Sequence, residues 1–486
     1  MATLETRTVR NVSYIGASQL IVLLLTLLTV TVLTRLLTPE DFGIVSIGMI
    51  FMVLFNNIQD FGIAPAIIQR DTRIEESISV GLFLRWMIGI VLLALIVCLS
   101  PTISAFYNNP ALTLVLIVMS LNLLIQPIAF SSLVLLNREL DFSSLAVASI
   151  VQYVVITGAS IGLALANFSY WSLVLGSLSG SIAYVLMLRY FNNTAFKPKI
   201  DRRLMKELMG FGMHLLITGL MAFVIFSIDQ LVVGKVLGIV TLGIYFVAVR
   251  FGRTIGEQIS GTVNKVLFPT MARIKGSIEH LKIGYVQSLR MISIVAVPLS
   301  LGISALSPLF VEVVLGKDWL LASVPIAILS FQGLLNALIP PAANVLVSIG
   351  KPKYMSMQAT VQAAVMVVAI YPVASCYGIN GVCVLTTALS LGVLVYFLVV
   401  FSKIFKSRIV EIASPMGPPM LSGVATYVVL FLLVRASPVN ALALVELSLL
   451  GAAIYFASLH LSSKGRDVRD LIGLVSRSFL KRHGVR

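Results

Sequence analysis

Residues 12–37 read VSYIGASQLIVLLLTLLTVTVLTRLL, an apolar run with a single charged side chain, Arg35. The hydrophobic region of a secretory signal peptide spans about 7–15 residues, so this run is too long to be one. A helix that crosses the hydrocarbon core of a bilayer needs about 20 apolar residues. The run therefore predicts a membrane-spanning helix close to the amino terminus.

The composition of the whole chain agrees with this interpretation. Of its 486 residues, 58% are hydrophobic and only 11% are charged, whereas soluble globular proteins carry about 25% charged residues. Water solvates such an apolar surface poorly, which excludes a soluble protein of several domains. The formal net charge is +15, and the positions of the basic residues decide whether this charge indicates a nucleic-acid partner.

Apolar runs of similar length recur along the whole chain. They are too long and too unbroken for the strands of an outer-membrane barrel, which alternate over about 10 residues. We therefore predict an all-α polytopic membrane protein with about 14 transmembrane helices. The predicted spans are 12–36, 42–67, 81–104, 111–136, 143–166, 169–189, 208–233, 240–263, 286–312, 321–348, 355–375, 379–402, 416–435 and 439–461.

The basic residues predict the orientation, because lysine and arginine concentrate in the cytoplasmic segments of membrane proteins. If the amino terminus is inside, the connecting segments alternate between rich and poor in basic residues. The outer ends of the spans then hold only Arg35, Lys235, Lys317 and Arg435. We predict that both termini are cytoplasmic. The net charge then faces the anionic lipids of the inner leaflet, so no nucleic-acid partner is expected.

A short motif near residue 35 recurs about 200 residues later. The residues RLL at 35–37 and FGI at 42–44 correspond to KVL at 235–237 and LGI at 242–244. Six spans precede residue 200 and six more follow, so both halves enter the membrane in the same orientation. This indicates a parallel repeat of the kind found in transporters that rock two bundles around a cavity. The alternative is chance similarity between apolar segments.

The repeat predicts the domain organisation. Residues 1–195 form an N-terminal lobe of six helices, and residues 196–405 form a C-terminal lobe of six helices. Residues 406–486 contribute an accessory pair of helices and a basic cytoplasmic tail. The connections between spans are short, which leaves no room for a soluble catalytic domain.

The eighth predicted span carries the clearest set of polar residues. Arg250, Arg253, Glu257 and Asn264 are spaced so that they share one face of a helix. An ionisable group within a span is costly unless it faces a cavity or a partner. Arg253 and Glu257 can neutralise each other at i and i+4, but this leaves Arg250 unexplained. Two guanidinium groups in a dehydrated cleft suit a phosphate or pyrophosphate, which they bind bidentately.

Two other spans contain carboxylates. Asp229 lies near the outer end of the seventh span, and Asp60 lies in the second span near Asn57. A carboxylate in such a position can bind a cation or hold a proton. It can equally be the structural partner of Arg250 or Arg35. Both interpretations stay open on the residues alone.

Several expected absences follow from the sequence. It contains no Walker A loop, no G-x-S-x-G or H-E-x-x-H motif and no cluster of cysteine and histidine. We therefore expect no catalytic site, no metal site and no cofactor, and the protein is predicted not to be an enzyme. Cys376 and Cys383 bracket one short turn, and the sequence does not decide whether they pair.

Beyond these physical arguments, the chain resembles a known family. The stretch TRLLTPEDFG at 34–43 is similar to the opening signature of the Wzx-like oligosaccharide flippases. These are the polysaccharide transporters of the superfamily that also holds the multidrug (MATE) exporters and the lipid II flippase. The further matches are Asp60-Phe61-Gly62, Arg138 with Phe142, Trp171-Ser172-Leu173-Val174, Asp229 with Val233-Gly234, Leu242-Gly243-Ile244-Tyr245 with Ala248 and Arg250, and Leu267-Phe268-Pro269.

The resemblance implies a flippase in the bacterial inner membrane. Its substrate would be an undecaprenyl-pyrophosphate-linked oligosaccharide, moved from the cytoplasmic to the periplasmic leaflet for lipopolysaccharide, exopolysaccharide or capsule assembly. The family fold implies two six-helix lobes in a V around a hydrated cationic cavity, with alternating access driven by a proton or sodium gradient. Membrane lipids, a polysaccharide polymerase and co-assembly proteins are the other partners expected.

On this hypothesis, we assign the polar residues to two roles. Substrate binding falls to Arg250, Arg253, Arg35 and Asn57, and ion coupling falls to Asp229, Asp60 and Glu257. Arg250 and Asp229 lie on positions of the family pattern. Arg253 and Glu257 do not, so their roles depend only on the helical-face argument.

Two alternatives remain at this point. A MATE-type cation-coupled exporter of small molecules would have acidic and aromatic residues in its cavity, and the arginines of the eighth span argue against it. A membrane-embedded glycan polymerase or ligase would carry a large loop outside the membrane, and no predicted connection is long enough for one.

Overall fold

The computed structural model describes residues 2–254, 256–258 and 278–463 of the chain. Within these ranges the secondary structure is helical and no strand is present, so the predicted all-α class is confirmed. The α-helices, numbered in chain order, are α1 (Ala2–Leu36), α2 (Pro39–Asp60), α3 (Ile63–Ile68), α4 (Ile74–Tyr107), α5 (Ala111–Ser120), α6 (Asn122–Ile125), α7 (Phe130–Arg138), α8 (Phe142–Leu165), α9 (Trp171–Phe191), α10 (Arg202–Val236), α11 (Ile239–Phe251), α12 (Ile278–Phe310), α13 (Ser323–Ala337), α14 (Pro340–Ser348), α15 (Lys353–Ile404), α16 (Ile409–Ala413), α17 (Gly417–Ala436) and α18 (Ala441–Ser462).

The protein is a multi-pass membrane protein. Its described residues include 13 helical segments that are long and apolar enough to cross a membrane. One of these is α15, which has 52 residues, whereas one crossing takes about 20. Gly378 interrupts α15 with φ 62° and ψ −156°, a conformation that favours glycine. This break falls between the predicted spans 355–375 and 379–402. The count of fourteen crossings and the cytoplasmic position of both termini stay predictions.

Prolines divide two of the predicted spans. Pro127 lies in a 3₁₀ turn, Gln126–Ala129, between α6 and α7. Pro340 occupies the first position of α14 and separates it from α13. Proline lacks a backbone N–H and fixes φ, so it is tolerated in the first turn of a helix but not in its interior. These properties of proline explain the helix breaks at both places.

The chain divides into two compact units. The N-terminal unit comprises Met1–Phe246 and Ala359–Ile379, and the C-terminal unit comprises Val247–Gln358 and Asn380–Arg486. The division falls within α11, and α15 contributes to both units. The six-helix lobes inferred from the internal repeat stay a prediction.

The start of α2 is fixed by local hydrogen bonds and by a distant turn. Thr38 and Asp41 form a capping box, in which each side chain accepts a hydrogen bond from the other's backbone N–H. The buried carboxylate of Asp41 also accepts hydrogen bonds from the Ser169 hydroxyl and the Tyr170 N–H. The motif that carries the family resemblance therefore ties α2 to the turn between α8 and α9.

The two copies of the short repeat meet inside the N-terminal unit. The breaks are equivalent, because α1 and α2 are separated by two residues, as are α10 and α11. A Cβ atom on Gly43 would collide with the carbonyl of Ile239, and one on Gly243 would collide with the carbonyl of Pro39. Only glycine allows the two helix ends to pack so closely. This contact explains why the fifth residue of the helix is glycine in both copies.

In the C-terminal unit, α12 contacts both α17 and α18. Pro298 lies inside α12 and has no N–H to donate to the carbonyl of Ile294, four residues earlier. The buried hydroxyl of Tyr455, on α18, donates to that carbonyl at 3.1 Å. Helix α18 therefore supplies the hydrogen-bond donor that the proline lacks.

Candidate functional site

The predicted pairing of Arg253 with Glu257 is present in the C-terminal unit. Arg253 Nε lies 3.7 Å from Glu257 Oε1, and Asn336 Nδ2 donates a hydrogen bond of 2.9 Å to the same oxygen. The side chain of Arg253 is 8% exposed and that of Glu257 is 37% exposed. Because Asn336 lies on α13, the carboxylate joins the residues after α11 to a second helix.

Glycines explain why the Arg253 side chain is buried. Gly252 and Gly256 lie four residues apart, and both face α13. A Cβ on Gly256 would collide with the backbone of Gly333, and one on Gly333 would lie 2.8 Å from the Arg253 carbonyl. This close approach of two backbones is the usual effect of a G-x-x-x-G motif in membranes. It encloses an arginine in a position where a larger residue would hold the helices apart.

The remaining predicted substrate residues are distributed over both units. Arg250 is half-buried at the end of α11, three residues before Arg253, in the C-terminal unit. Arg35 is exposed at the end of α1, and Asn57 is half-buried on α2, both in the N-terminal unit. Asn264, the last member of the predicted polar face, lies outside the described residues.

Asp229 is completely buried in the N-terminal unit. The hydroxyl of Tyr245 on α11 donates to Asp229 Oδ2 at 2.7 Å, and the backbone N–H of Gln230 donates to Oδ1 at 2.8 Å. Hydrogen bonds to an ionised carboxylate are stronger than those between neutral groups. Asp229 therefore links α10 to α11 next to the glycine contact of the repeat.

Asp60 has a partner that the sequence argument missed. Arg85 Nη1 on α4 donates to Asp60 Oδ1 at 3.1 Å. The side chain of Arg85 is 7% exposed and that of Asp60 is 42% exposed. Arg85 also lies over the ring of Phe130, 5.0 Å from its centroid, a cation–π contact.

The sequence argument did not identify Arg85 as a site residue. The helix α4 begins at Ile74, so Arg85 lies about 16 Å along its axis. The signal that could have identified it is the presence of one acidic and one basic residue in neighbouring apolar runs, since such residues usually pair. Periodicity within one span does not contain this information.

A separate group of ion pairs lies near the ends of the spans. Arg73 Nη2 lies 3.1 Å from Asp201 Oδ2, and Arg70 forms an ion pair with Glu207. Asp201 also caps α10. Its pKa is lowered from the ordinary value, first by the hydrogen bond from the Leu204 N–H and then by Arg73. These pairs join the start of α4 to the start of α10.

Comparison with known proteins gives the family of the chain. The family model described as "Polysaccharide biosynthesis protein" matches residues 32–324, which is more than half of the sequence. The chain is similar to the "Lipopolysaccharide biosynthesis protein WzxC" of Escherichia coli (strain K12). The two are 26% identical over 352 residues, which cover 71% of each chain.

Solved structures show the same fold. The chain resembles the "Lipid II flippase MurJ, inward closed conformation" with a TM-score of 0.75 and 15% identity, covering 96% of this chain and 100% of that one. It resembles an inward-facing multidrug resistance MATE family transporter with a TM-score of 0.60 and 14% identity, covering 81% and 99%. The polytopic helical fold that the resemblance implies is thus confirmed, and the family match shows that the chain belongs to the polysaccharide biosynthesis protein family.

Proposed function

We propose that the protein is a flippase of the bacterial inner membrane. Its substrate is an undecaprenyl-pyrophosphate-linked oligosaccharide, which it moves from the cytoplasmic to the periplasmic leaflet by alternating access. The glycan then enters lipopolysaccharide, exopolysaccharide or capsule assembly. Two findings support this function: the polysaccharide biosynthesis family match over residues 32–324, and the fold shared with a lipid II flippase.

The proposal rests mainly on two arginines, Arg250 at the end of α11 and Arg253 just after it. Arg250 and Arg253 lie three residues apart in an apolar helical segment, and Arg253 is buried beside Glu257. A cation in such a segment is costly and is retained where it binds something. Guanidinium groups bind phosphate oxygens bidentately. Arg250 and Arg253 therefore hold the pyrophosphate, while Arg35 and Asn57 are further substrate contacts.

The pairing within the segment fits this role. Glu257 and Asn336 hold Arg253 in one position while the substrate is absent. A pyrophosphate competes with Glu257 for the guanidinium group, because both are anions and the phosphate offers more acceptor oxygens. Glu257 is then released when the substrate binds, which makes it one of the three residues proposed for ion coupling.

The other two coupling residues are Asp229 and Asp60. Asp229 is fully buried, and a carboxylate within a membrane span is the kind of group that couples transport to a cation. Replacing Asp229 with Asn should change the dependence of transport on the imposed ion gradient. The measurement is glycolipid translocation in proteoliposomes under proton or sodium gradients. An unchanged dependence removes Asp229 as a coupling residue.

The substrate assignment is tested by Arg250→Ala. The variant should abolish display of the glycan at the cell surface, since it removes a guanidinium group that binds the pyrophosphate. The control is Arg435→Ala, which removes an exposed arginine at the end of α17 and should leave display normal. Membrane yield and thermal unfolding of both purified variants show that they fold. Normal display from a folded Arg250→Ala variant contradicts the assignment.

The MATE-type alternative shares the fold, so the fold does not separate the two functions. The family match supports glycan export. Deleting the gene should therefore remove the surface glycan and leave susceptibility to cationic drugs unchanged. Increased drug susceptibility with an intact glycan would favour the exporter.

A further inference from the structure

The N-terminal unit contains a cavity that the proposed flippase mechanism does not use. Its volume is about 140 Å³, and its polar lining residues are Arg85, Gln126, Gln152, Ser181 and Tyr184. The rest of the lining is apolar and aromatic, and none of the described residues that line it is acidic. The cavity therefore offers one positive charge together with amide and hydroxyl groups.

The guanidinium group of Arg85 has unused hydrogen-bonding capacity. Arginine has five N–H donors, and Arg85 directs Nη1 at Asp60. Its Nε is buried and has no hydrogen-bond partner among the described residues, while the side chain is only 7% exposed. A buried donor without a partner indicates a bound water, ion or ligand that the protein atoms alone do not include.

Both the side chain and the backbone of Arg85 are held in place by neighbouring residues. Its ring contact with Phe130 is 5.0 Å, and Gln59 Nε2 donates to the Arg85 carbonyl at 3.2 Å and to the Leu123 carbonyl at 2.5 Å. Gln59 is itself fully buried. A binding group that is fixed before its ligand arrives loses little conformational entropy on binding. These contacts are those of a prepared site rather than of a mobile surface arginine.

The size of the cavity limits what it can hold. An engineered cavity of about 150 Å³ binds benzene, whereas sites for drug-sized ligands have volumes of about 300–1,000 Å³. The Arg85 cavity thus accommodates one small group, such as a single phosphate or carboxylate. The planar edge of a guanidinium group matches two oxygens of a phosphate or a carboxylate.

We propose that this cavity binds a small oxyanion. The edge of Arg85 that Asp60 leaves unused contacts two oxygens of the anion, and Gln126, Gln152, Ser181 or Tyr184 donate to the others. The site is separate from the proposed substrate residues Arg250 and Arg253, which belong to the C-terminal unit. The oxyanion can be a free anion or the headgroup of an anionic phospholipid, and the experiment distinguishes these sources.

The test measures thermal unfolding of the purified full chain in detergent without phosphate. Inorganic phosphate and glucuronate are titrated, with glucose as the neutral control and chloride at matched ionic strength. A parallel series uses nanodiscs of phosphatidylcholine with and without phosphatidylglycerol. A free anion raises the unfolding temperature in detergent, and a lipid headgroup raises it only in the nanodiscs that contain phosphatidylglycerol.

Variants assign the effect to the cavity. Arg85→Lys keeps the positive charge but loses the planar edge of the guanidinium group. The affinity for the oxyanion should therefore fall at least about tenfold. Gln152→Leu leaves the Arg85–Asp60 pair intact and should lower the affinity for the oxyanion by a smaller factor. This variant provides the test if Arg85→Lys does not fold. Arg435→Gln, which removes an exposed arginine at the end of α17, is the control and should respond like the wild type. Arg250→Gln reports any anion that is bound at the proposed substrate residues instead.

Three results would overturn the proposal. The first is that none of the oxyanions stabilises the wild type in either series. The second is that Arg85→Lys, or Gln152→Leu if the lysine variant does not fold, responds as strongly as the wild type. The third is that the stabilisation is lost in Arg250→Gln and kept in Arg85→Lys. None of these results bears on the flippase assignment, which is measured by glycan display.

Discussion

Each unit contains a buried arginine that faces a more exposed carboxylate. In the N-terminal unit, Arg85 and Asp60 approach to 3.1 Å, and their side chains are 7% and 42% exposed. In the C-terminal unit, Arg253 and Glu257 approach to 3.7 Å, with 8% and 37% exposed. The first pair joins two helices over 25 residues of sequence, whereas the second lies within four residues. Similar environments are thus built in two different ways.

The two ion pairs differ in whether they need a second helix in order to form. An i,i+4 pair forms wherever its own segment is helical, so the Arg253–Glu257 pair needs no second helix. The Arg85–Asp60 pair exists only when α2 and α4 are docked. We therefore expect the N-terminal pair to dock α2 on α4 as well as to orient Arg85, while the C-terminal pair only orients Arg253.

The largest effect is expected from a substitution that separates α13 from the segment that carries Arg253. Gly256→Val places a side chain against the backbone of Gly333, and a backbone clash is not relieved by rotating a side chain. We expect the free energy of unfolding to fall by about 3 kcal/mol or more, measured by thermal unfolding and by yield in the membrane.

The matched control is Gly302→Val on α12, where a Cβ atom meets nothing within 4 Å. It should leave the unfolding temperature nearly unchanged. Equal unfolding temperatures for the two valine variants would show that the glycine contact does not hold the segment in place.

Removing the carboxylates tests the two pairs directly. Asp60→Ala leaves Arg85 buried without its anion, and we expect a loss of about 2 kcal/mol, reduced from the value for a fully buried pair by the exposure of Asp60. Glu257→Ala should cost less, because the pair is longer and forms within one segment. The two variants are compared by thermal unfolding in the same detergent. A larger loss for Glu257→Ala contradicts the proposed division of roles.

The smallest effect is expected at the ion pairs outside the membrane. The pKa of Asp201 is lowered in the folded protein, chiefly by the Leu204 N–H and by Arg73, from its ordinary value of 3.8. The stability it contributes is therefore present above that pH and is lost as the pH falls through the lowered pKa. Asp201→Asn keeps a capping side chain and removes the titration.

Wild type and Asp201→Asn are compared by their unfolding temperatures between about pH 6 and pH 3. The wild type should lose slightly more stability than the variant on acidification. Identical dependences of the unfolding temperature on pH would mean that protonation of Asp201 does not affect stability in this range.

Much of the fold follows from the sequence, because apolar runs, prolines and glycines each act locally. Pro127 and Pro340 lie where the helices break, and the i,i+4 spacing of Arg253 and Glu257 allowed the pair that the structure shows. The role of Arg85 did not follow, since its partner and its cavity are assembled from several helices. The hydroxyl of Tyr245 at Asp229 was missed for the same reason.

Pro298 in α12 makes this helix depend on a side chain of α18. The carbonyl of Ile294 accepts a hydrogen bond from the Tyr455 hydroxyl on α18. A protein truncated before residue 441 would leave that oxygen without its donor in an environment where water does not replace it. Deleting α18 should therefore damage the interior of the C-terminal unit.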